Sequence, residues 1–233
     1  MRKTLLMAAL AAAVVGGALG CGGKGGVKSA PPSVTTFTDS RDGQVYKIVQ
    51  IDSQSWFAEN LNYAAEGSKC YNNSADSCEK YGRLYDWKTA VIACPAGWHL
   101  PEDSEWGRLT DYVGGKKKAG MKLKSSTGWR SYKNVPAGTD EYGFSSLPGG
   151  VGLYVPAEYG FSFLPGGVGL RDGNFYYASA SYEGYWWSAN ERGSYGAWYL
   201  CMYYNHNYMS RDHTTRDLCS VRCVANIRKE AKK

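Results

Sequence analysis

The sequence predicts an α+β fold built from short antiparallel strands, two short helices and a long, loop-rich C-terminal half. Residues 36–61 alternate short apolar segments with polar turns, as antiparallel strands do. Residues 86–113 then carry two helical patterns. Beyond Ala119, glycine, tyrosine and tryptophan dominate and no helical period is sustained, which indicates loops and short strands to the C-terminus.

A strand meander opens the domain. Residues 36–38 lead into the polar turn 39–43, and residues 45–51 then alternate apolar and polar side chains like a half-buried strand. Another strand is expected at 56–61, after a second polar turn. The turn at 39–43 is faintly similar to a calcium-binding loop, but Arg41 stands where such a loop needs an acidic ligand. A plain hairpin turn is therefore the expectation.

Two helices are predicted after the meander. The first should begin after Asp86, which can act as its N-cap, and run through Ala93, because Pro95 terminates it. The second opens at Pro101 and ends at the glycine pair 114–115. Its apolar residues share one face of the helix: Trp106, Leu109 and Val113.

The N-terminus has the pattern of a bacterial lipoprotein signal. Arg2 and Lys3 form a basic start, residues 5–13 are apolar but too short to span a bilayer, and small residues precede Cys21. We expect residues 1–20 to be removed and Cys21 to be acylated, which contributes about 0.8 kcal/mol per buried methylene group. The alternative is an ordinary secretory signal, and both predict export.

A tether, one domain and a tail follow the signal. Residues 21–35 contain almost no large apolar side chains, as is typical of a flexible spacer. Residues 36–226 are enough for one domain with its own core, and residues 227–233 read as a basic, solvated tail. Two basic residues leave with the signal, which lowers the net charge from +6 to +4 and gives no argument for nucleic acid. Because Gly22 is not the aspartate that retains lipoproteins in the inner membrane of enteric bacteria, the outer membrane or cell surface is the expected location.

Six cysteines remain once Cys21 carries lipid, and an even number in an exported chain indicates disulfides. Cys70 and Cys78 flank a polar loop whose ends meet if it is a turn, so we pair them. Spacing alone leaves open how the other four pair: Cys94, Cys201, Cys219 and Cys223. The alternative is a zinc site, which no C-x2-C pair supports and which would use Cys219, Cys223, His213 and His206.

No residue pattern typical of an enzyme stands out. The chain lacks a Ser-His-Asp order, a nucleotide-binding loop and an HExxH motif. His99 lies between two apolar neighbours, which favours a packed, hydrogen-bonded histidine. Glu102, Asp103 and Glu105 are better explained as acids in the first turn of a helix than as a catalytic pair. We therefore expect no catalytic residue, no metal and no cofactor.

Six segments carry a resemblance to a known family. They are FTDSRDG at 37–43, WFAENL at 56–61, YGRLYDW at 81–87, CPAGWHLP at 94–101, LPGG at 147–150 and SVRCV at 220–224. In this order they resemble the Fibrobacter succinogenes major paralogous domain over about residues 36–226. That family is usually found on secreted or lipid-anchored bacterial surface proteins.

The resemblance implies a C-type-lectin-like fold, which is also similar to that of the formylglycine-generating sulfatase-modifying group. In C-type lectin folds a long disulfide ties the first helix to the last strand and a second bond is nested with it, which implies Cys94 with Cys223 and Cys201 with Cys219. A fold does not transmit an activity. The Glu-Pro-Asn and Trp-Asn-Asp segments of calcium-dependent lectins are absent, and we expect the six remaining cysteines to have structural partners rather than to form a reactive pair.

An internal repeat departs from the family pattern. Residues 141–153 recur as residues 158–170, and the two copies differ only where Ser146 corresponds to Phe163. A tandem duplication is the simplest source. We expect one copy to be packed in the fold and the other to protrude as a loop, and the sequence does not say which.

Aromatic density is the best functional clue. Residues 176–208 contain twelve Tyr and Trp residues, and tyrosine offers rigid contact area with a polar tip. The alternative is that the tryptophans are core residues. In residues 203–211 Tyr, Asn, His, Ser and Arg interleave without the alternation of a buried strand, and we expect a loop pinned by a disulfide between Cys201 and Cys219. The candidate ligand-binding residues are Tyr203, Tyr204, Asn205, His206, Tyr208, Arg211 and Trp187.

The function predicted is non-catalytic recognition or adhesion at the bacterial cell surface. The domain would be held to the membrane by lipid on Cys21 and would bind a polysaccharide or a surface protein through its aromatic C-terminal face. One alternative is a structural envelope lipoprotein with no specific ligand. A less favoured alternative is an enzyme related to the formylglycine-generating group, which would need a free cysteine pair.

Overall fold

Two five-stranded sheets organise the computed structural model, which describes residues 34–135, 137–154, 163–164, 167–168, 175–178, 180–214 and 217–226. The predicted signal at 1–20, Cys21, the tether as far as residue 33 and the tail at 227–233 lie outside the described residues. All described residues belong to one compact unit, Pro31–Lys233.

The first sheet brings both ends of the domain together. Its strand order is β1 (Val34–Thr38), β2 (Val45–Ile51), β3 (Gln54–Phe57), β14 (Val224–Ala225) and β5 (Trp98–His99), with all neighbours antiparallel. The meander is confirmed, and β2 has the predicted bounds. The predicted strand at 56–61 is shorter, because after Phe57 the chain leaves the sheet and Leu61 N donates to Val221 O at 2.9 Å.

The turn between β1 and β2 is a plain hairpin turn, as expected. Asp39 N donates to Gln44 O, and Gly43 N donates to Asp39 O, both at 2.8 Å. The Asp39 carboxylate is buried and accepts from the Arg41 guanidinium at 2.7 Å, which lowers the pKa of Asp39. The Asp39 carboxylate of this loop is therefore already paired.

Both predicted helices are present, and the described residues contain two further α-helices that were missed. The four are α1 (Ala75–Tyr81), α2 (Trp87–Ala93), α3 (Asp103–Tyr112) and α4 (Lys116–Leu123). Asp86 caps α2 by accepting from Thr89 N at 3.0 Å, and Glu102 and Glu105 form a capping box on α3. No helix among the described residues is long and apolar enough to cross a bilayer.

The missed helices lack a sustained apolar stripe. Helix α1 buries only Cys78 and Tyr81, and α4 starts with three lysines and buries only Ala119, Gly120 and Leu123. Such short segments are stabilised by tertiary contacts rather than by their own periodicity. The sequence pattern therefore offered no signal for them.

The second sheet fills the C-terminal half. Its order is β12 (Met209–Thr214), β11 (Ala197–Tyr203), β10 (Glu183–Glu191), β13 (Cys219–Ser220) and β4 (Leu84–Tyr85). Strands β10 and β11 have nine and seven residues, longer than the predicted short strands. Trp186 and Trp187 are adjacent, fully buried and in different core clusters, so β10 is covered on both faces. A strand buried on both faces loses the apolar–polar alternation that would reveal it.

The prediction that Trp187 binds ligand is wrong. Its side chain is 1% exposed, and its Nε1 donates to Tyr85 O at 2.7 Å. Trp186 is likewise buried, with Nε1 donating to Asn60 Oδ1 at 2.8 Å. These two tryptophans are therefore core residues, which was the alternative to ligand binding.

Two of the three predicted disulfides are present. Cys70 bonds Cys78 and Cys94 bonds Cys223, with Cα–Cα distances of 5.0 and 5.9 Å. The bond to Cys223 removes one ligand from the alternative zinc site.

The predicted bond between Cys201 and Cys219 is wrong, because both are free, buried thiols. Cys201 lies on β11 and Cys219 on β13, on opposite sides of β10. Neighbouring strands lie about 4.8 Å apart, so these cysteines are separated by roughly twice that distance, beyond the ~7 Å reach of a disulfide.

The first repeat copy is packed in the fold. In residues 141–153, Phe144 and Ser146 are fully buried, and β6 (Val151–Tyr154) pairs with β9 (Phe175–Ala178). From the second copy, 158–170, the structure describes only the backbone of β7 (Phe163–Leu164) and β8 (Gly167–Val168), which pair as a hairpin. Whether that copy protrudes lies outside the described residues.

Candidate recognition surface

Four of the predicted ligand-binding residues lie together at the turn between β11 and β12. The two strands pair as far as Met202 and Met209, and β11 ends at Tyr203, so residues 204–208 form the tip of this hairpin. We call residues 204–208 the hairpin tip. It carries Tyr204, Asn205, His206 and Tyr208 in one turn.

Helix α4 and the residue after it hold the hairpin tip in place. The buried Lys124 ammonium donates to Tyr203 O at 3.2 Å and His206 O at 3.1 Å, and Met121 N donates to Asn207 O at 3.1 Å. Gly120 lies so close that a Cβ atom there would be 2.6 Å from Tyr208 O. The tip is thus pinned by these contacts rather than by the expected disulfide, and residues 209–211 belong to β12 instead of the expected loop.

Lys124 has no carboxylate partner among the described residues. Its side chain is 0% exposed, and its Nζ lies 5.2 Å from the Trp129 ring centroid. Burial lowers the pKa of Lys124 to about 8, because the charged form is poorly solvated. Two backbone carbonyls compensate for part of this cost, which makes the position of the hairpin tip depend on Lys124.

A group of tyrosines surrounds the tip. Tyr204 makes edge-to-face contacts with Tyr132 and Tyr182, with ring centroids 5.3 and 5.1 Å away. The Arg130 guanidinium lies 4.8 Å from the centroid of the Tyr182 ring and also donates to its hydroxyl. Sequence reasoning missed Arg130 and Tyr132, because they lie far from the aromatic-rich segment along the chain.

Two tyrosine rings at and beside the hairpin tip are exposed. Tyr182 is 36% exposed and Tyr208 is 45% exposed. Tyr208 stacks on His206, with centroids 3.3 Å apart and an interplanar angle of 5°. We define the hairpin patch as these residues and their neighbours: Arg130, Tyr132, Tyr182, Tyr204, Asn205, His206 and Tyr208.

The surroundings of the His206 ring disfavour its protonated form. Burial lowers its pKa, and the nearby Lys124 charge lowers it further. One face packs on Tyr208, and the Tyr203 ring lies 4.8 Å away. His206 therefore supports the exposed Tyr208 ring.

The remaining predicted residues are engaged elsewhere. The Tyr203 ring is half-buried on the second sheet beside Tyr185, and its hydroxyl accepts from Cys201 Sγ at 3.4 Å. Arg211 lies 3.4 Å above the Trp198 ring centroid and pairs with Asp103. Neither side chain belongs to the hairpin patch.

The two free cysteines differ from a reactive pair. Burial raises the pKa of Cys201 to about 11 and raises that of Cys219 well above its ordinary value. Reactive cysteines are thiolates in partly exposed, electropositive surroundings. At neutral pH these two are protonated thiols on strands separated by β10.

The acids at the start of α3 serve structural contacts. His99 lies between Asn226 Oδ1, 2.6 Å from its Nδ1, and the Glu105 carboxylate, 2.8 Å from its Nε2. The hydrogen bond to Glu105 raises the pKa of His99. The Asp103 carboxylate accepts from Ser188 Oγ at 2.8 Å. These contacts match the expectation of a packed histidine and first-turn acids.

A buried polar network joins segments from opposite ends of the chain. Arg222 is fully buried, and its guanidinium donates to Phe57 O, Phe144 O and Asn60 Oδ1 at 3.1, 2.7 and 2.8 Å. Asn60 also donates from Nδ2 to Tyr81 O at 2.8 Å. Asn60 lies in the WFAENL segment and Arg222 in SVRCV. These motifs are therefore brought together in the interior, away from the hairpin patch.

Residues 49–225 match the model of the Fibrobacter succinogenes major domain. The chain belongs to this family. In this member of the Fibrobacter succinogenes major domain family, the matched segments supply the Asn60–Arg222 network and the Cys94–Cys223 disulfide. No curated protein and no solved structure matches the chain.

Proposed function

We propose that this chain is a lipid-anchored, non-catalytic recognition domain of the bacterial cell surface, which binds its ligand through the hairpin patch. The observation that carries the proposal is a pair of exposed rings: Tyr208 on the hairpin tip, which Lys124 holds through backbone carbonyls, and Tyr182 beside the tip. A fixed tip loses little conformational entropy on binding, so its tyrosine area is converted efficiently into affinity.

The shape of the patch favours a protein ligand over a glycan. The rings of Tyr132, Tyr182 and Tyr204 pack edge to face, so they do not present a row of open faces for successive sugar rings. Exposed Asn205 and Arg130 supply polar groups at its border. A compact aromatic centre with a polar rim is the usual composition of a protein interface.

The anchor part of the proposal is supported by the sequence around Cys21. Acylation there would place the domain on an outer membrane or cell surface at the end of a tether of residues 21–35. Replacing Cys21 by Ala should move the protein from the detergent phase and the membrane fraction into the soluble fraction. Unchanged partitioning would exclude the lipid anchor.

A C-type-lectin-like arrangement is part of the proposal. The Cys94–Cys223 bond supports it, since it links the end of α2 to the residue before β14, the kind of long-range bond that the resemblance implied. The missing nested bond is the point at which this chain departs from that pattern.

The binding test compares a double tyrosine variant with a matched single-tyrosine control. The purified, fluorescently labelled protein is applied to intact bacterial cells and to a glycan array. The double variant Tyr182→Ala/Tyr208→Ala should reduce cell binding at least tenfold, whereas Tyr195→Ala should not, although Tyr195 is 66% exposed. Equal binding by wild type and the double variant would exclude the hairpin patch as the binding site, and no binding by wild type would favour the structural envelope role.

A second measurement identifies the ligand class. Treating the target cells with protease should abolish binding if the ligand is a protein. Binding that survives protease and recurs on the array would assign the patch to a glycan instead. Thermal denaturation of each variant excludes unfolding as the cause of lost binding.

A further inference from the structure

Three tyrosines of the hairpin patch form a cluster with a cation on each of its two outer rings. Tyr204 is the middle ring and contacts Tyr132 and Tyr182, with centroids 5.3 and 5.1 Å away. The Lys133 ammonium lies 5.2 Å from the Tyr132 centroid. The Arg130 guanidinium lies 4.8 Å from the Tyr182 centroid. Both cationic side chains are exposed, so they are open to a ligand that approaches the tyrosines.

The Arg130 guanidinium is oriented but not saturated. It stacks on the Tyr182 ring and donates from Nη1 to the Tyr182 hydroxyl. The Arg130 backbone N also donates to Ser181 O at 2.8 Å. A guanidinium presents its N–H groups in a planar fork, and a carboxylate can accept from two of them at once. Because the group is already held against a ring, it loses little freedom when such a carboxylate binds.

Lys133 occupies a backbone position that does not suit a lysine. Its φ is 42°, in the left-handed region, within a tight turn where Val135 N donates to Tyr132 O at 2.9 Å. This region costs stability for most residues with a side chain, whereas glycine and asparagine adopt it more easily. A lysine that costs stability where it stands indicates a role for its charge.

Neither cation has an acidic partner in the part of the chain that the structure describes. No ion pair there includes Arg130 or Lys133. The nearest carboxylates along the chain are engaged elsewhere: Asp140 accepts from Ser145, Glu141 pairs with Lys122, and Glu183 accepts from Tyr185. The two charges are therefore not compensated by these neighbours.

Helix α4, which holds the hairpin tip, adds positive charge beside the patch. Its first turn contains Lys116, Lys117 and Lys118 and no acidic residue. All three are exposed, and none forms an ion pair within the described ranges. The helix dipole favours acids rather than lysines at this end. These lysines lie about one turn before Gly120, where α4 meets the tip, so they raise the positive potential that attracts an anionic ligand.

We propose that the hairpin patch binds an acidic segment of a surface protein, with one carboxylate on Arg130 and another on Lys133. Apolar side chains of the same segment pack against the exposed rings of Tyr182 and Tyr208. The edge-to-face packing of the tyrosine cluster leaves no row of open faces for sugar rings, which favours a protein over an acidic polysaccharide. This inference rests on the proposed function, since it names the chemistry of the ligand at the same site.

The test uses two synthetic peptides that differ only in charge. One consists of repeated Gly-Glu-Phe-Glu units and the other of repeated Gly-Gln-Phe-Gln units, and polygalacturonate serves as the acidic polysaccharide probe. Each probe is titrated calorimetrically into full-length lipidated protein in detergent micelles. We expect the glutamate peptide to bind about tenfold more tightly than the glutamine peptide. Its affinity should fall as sodium chloride is added, because salt screens exposed charges.

The decisive variant is Lys133→Asn, which removes the ammonium and keeps a residue that tolerates the left-handed backbone. It should weaken binding of the glutamate peptide by about fivefold, while its melting temperature stays equal or rises. Arg130→Gln should weaken the same binding by about tenfold. Lys88→Gln is the matched control, because Lys88 is an exposed lysine on α2, outside the hairpin patch. It removes the same charge and should leave the affinity unchanged.

The proposal is overturned if the two peptides bind equally or not at all, or if polygalacturonate is the only probe that binds. It is also overturned if Lys133→Asn and Arg130→Gln both bind the glutamate peptide like wild type. Should Arg130→Gln unfold, the Lys133→Asn result decides.

Binding to intact cells separates this failure from that of the proposed function. If Tyr182→Ala/Tyr208→Ala loses cell binding while Lys133→Asn and Arg130→Gln keep it, the hairpin patch is the site and its ligand is not acidic. If the double tyrosine variant binds cells like wild type, the hairpin patch itself is excluded as the site.

Discussion

Arg222 donates from Nη2 to Oδ1 of Asn60 across 2.8 Å, in an interior where the arginine is 0% exposed and has no carboxylate partner among the described residues. The guanidinium is instead held by carbonyl and amide oxygens and lies 4.6 Å from the Phe144 ring centroid. A buried cation of this kind depends on every acceptor around it. The link therefore fixes the segment after β3 against the segment before β14.

Removing the acceptor should be severely destabilising. Asn60→Ala leaves part of the Arg222 guanidinium and the Trp186 indole N–H without their hydrogen-bond acceptor. We therefore expect a loss of about 3–5 kcal/mol in the free energy of unfolding. Asn205→Ala, on the exposed hairpin tip, should change it by less than about 0.5 kcal/mol. Urea denaturation measures both. A loss below about 1 kcal/mol for Asn60→Ala would show that the network is replaceable.

The two disulfides should differ in their contribution to stability. The Cys94–Cys223 bond closes a sequence separation of 129 residues and the Cys70–Cys78 bond one of 8. On the chain-entropy model the long bond contributes about 5 kcal/mol and the short one about 2.5 kcal/mol. Replacing each pair by alanine and comparing denaturation midpoints tests the order. The reverse order would mean that native-state strain or residual structure in the unfolded chain dominates.

Thiol counting checks the corrected cysteine pattern. Cys201 and Cys219 should remain unreactive toward a thiol reagent in the native protein, because both are buried with raised pKa values. In denaturant without reductant both should react. Peptide mapping that recovered Cys201 joined to Cys219 would contradict the strand order around β10.

The sequence predicts those strands and helices whose local residue pattern matches their structure. Strand β2 has the predicted bounds because it alternates buried and exposed residues, and α2 and α3 follow from their caps and prolines. Strand β10 was missed because Trp186 and Trp187 bury opposite faces, which erases the alternation. Helices α1 and α4 were missed because tertiary contacts stabilise them.

The site was only partly predictable for a related reason. Tyr204, Asn205, His206 and Tyr208 are consecutive or nearly so, and their mixed composition marks a turn. Arg130 and Tyr132 join them only through the fold, and no local signal in a single sequence links positions so far apart. The errors at Cys219 and Trp187 both concern the surroundings of β10. Strands β11 and β13 flank it and separate Cys201 from Cys219, and packing on both of its faces buries Trp187.

Gly120 offers a direct test of how closely the hairpin tip packs against α4. A Cβ there would meet Tyr208 O at 2.6 Å and Asn207 O at 2.8 Å, and these are backbone atoms that can move only with the tip. Gly120→Ala should therefore displace the tip and lower stability by about 1–3 kcal/mol. Gly107→Ala is the matched helical control, because nothing lies within 4 Å of its Cβ position, and it should be neutral or stabilising by up to about 1 kcal/mol.

The outcome is read from denaturation curves and from ligand binding. If Gly120→Ala is as stable as Gly107→Ala, α4 and the hairpin tip are not in the close contact that the structure shows. If Gly120→Ala is destabilised and also loses ligand binding at the hairpin patch, the seating of the tip and its recognition role are linked.

The buried Lys124 makes stability depend on pH in a defined direction. Its pKa is lowered to about 8 in the folded state, against about 10.4 in an unfolded chain. Between these values the unfolded state binds more protons than the folded state, so this residue adds stability as pH rises through the window. Below pH 8 both states are protonated, and the cost of the buried ammonium is fully present.

Comparison with Lys124→Met isolates this effect from other titrating groups. Cys201 and Cys219 act in the opposite direction above about pH 8.5, since their raised pKa values keep protons in the folded state. Both proteins share these cysteines, so the difference in unfolding free energy between them reports Lys124 alone. We expect the free energy of unfolding of wild type, relative to that of Lys124→Met, to rise by roughly 1–3 kcal/mol between about pH 7 and pH 10. A difference independent of pH would mean that the Lys124 ammonium is solvated in the folded protein and does not carry the hairpin tip as a buried charge.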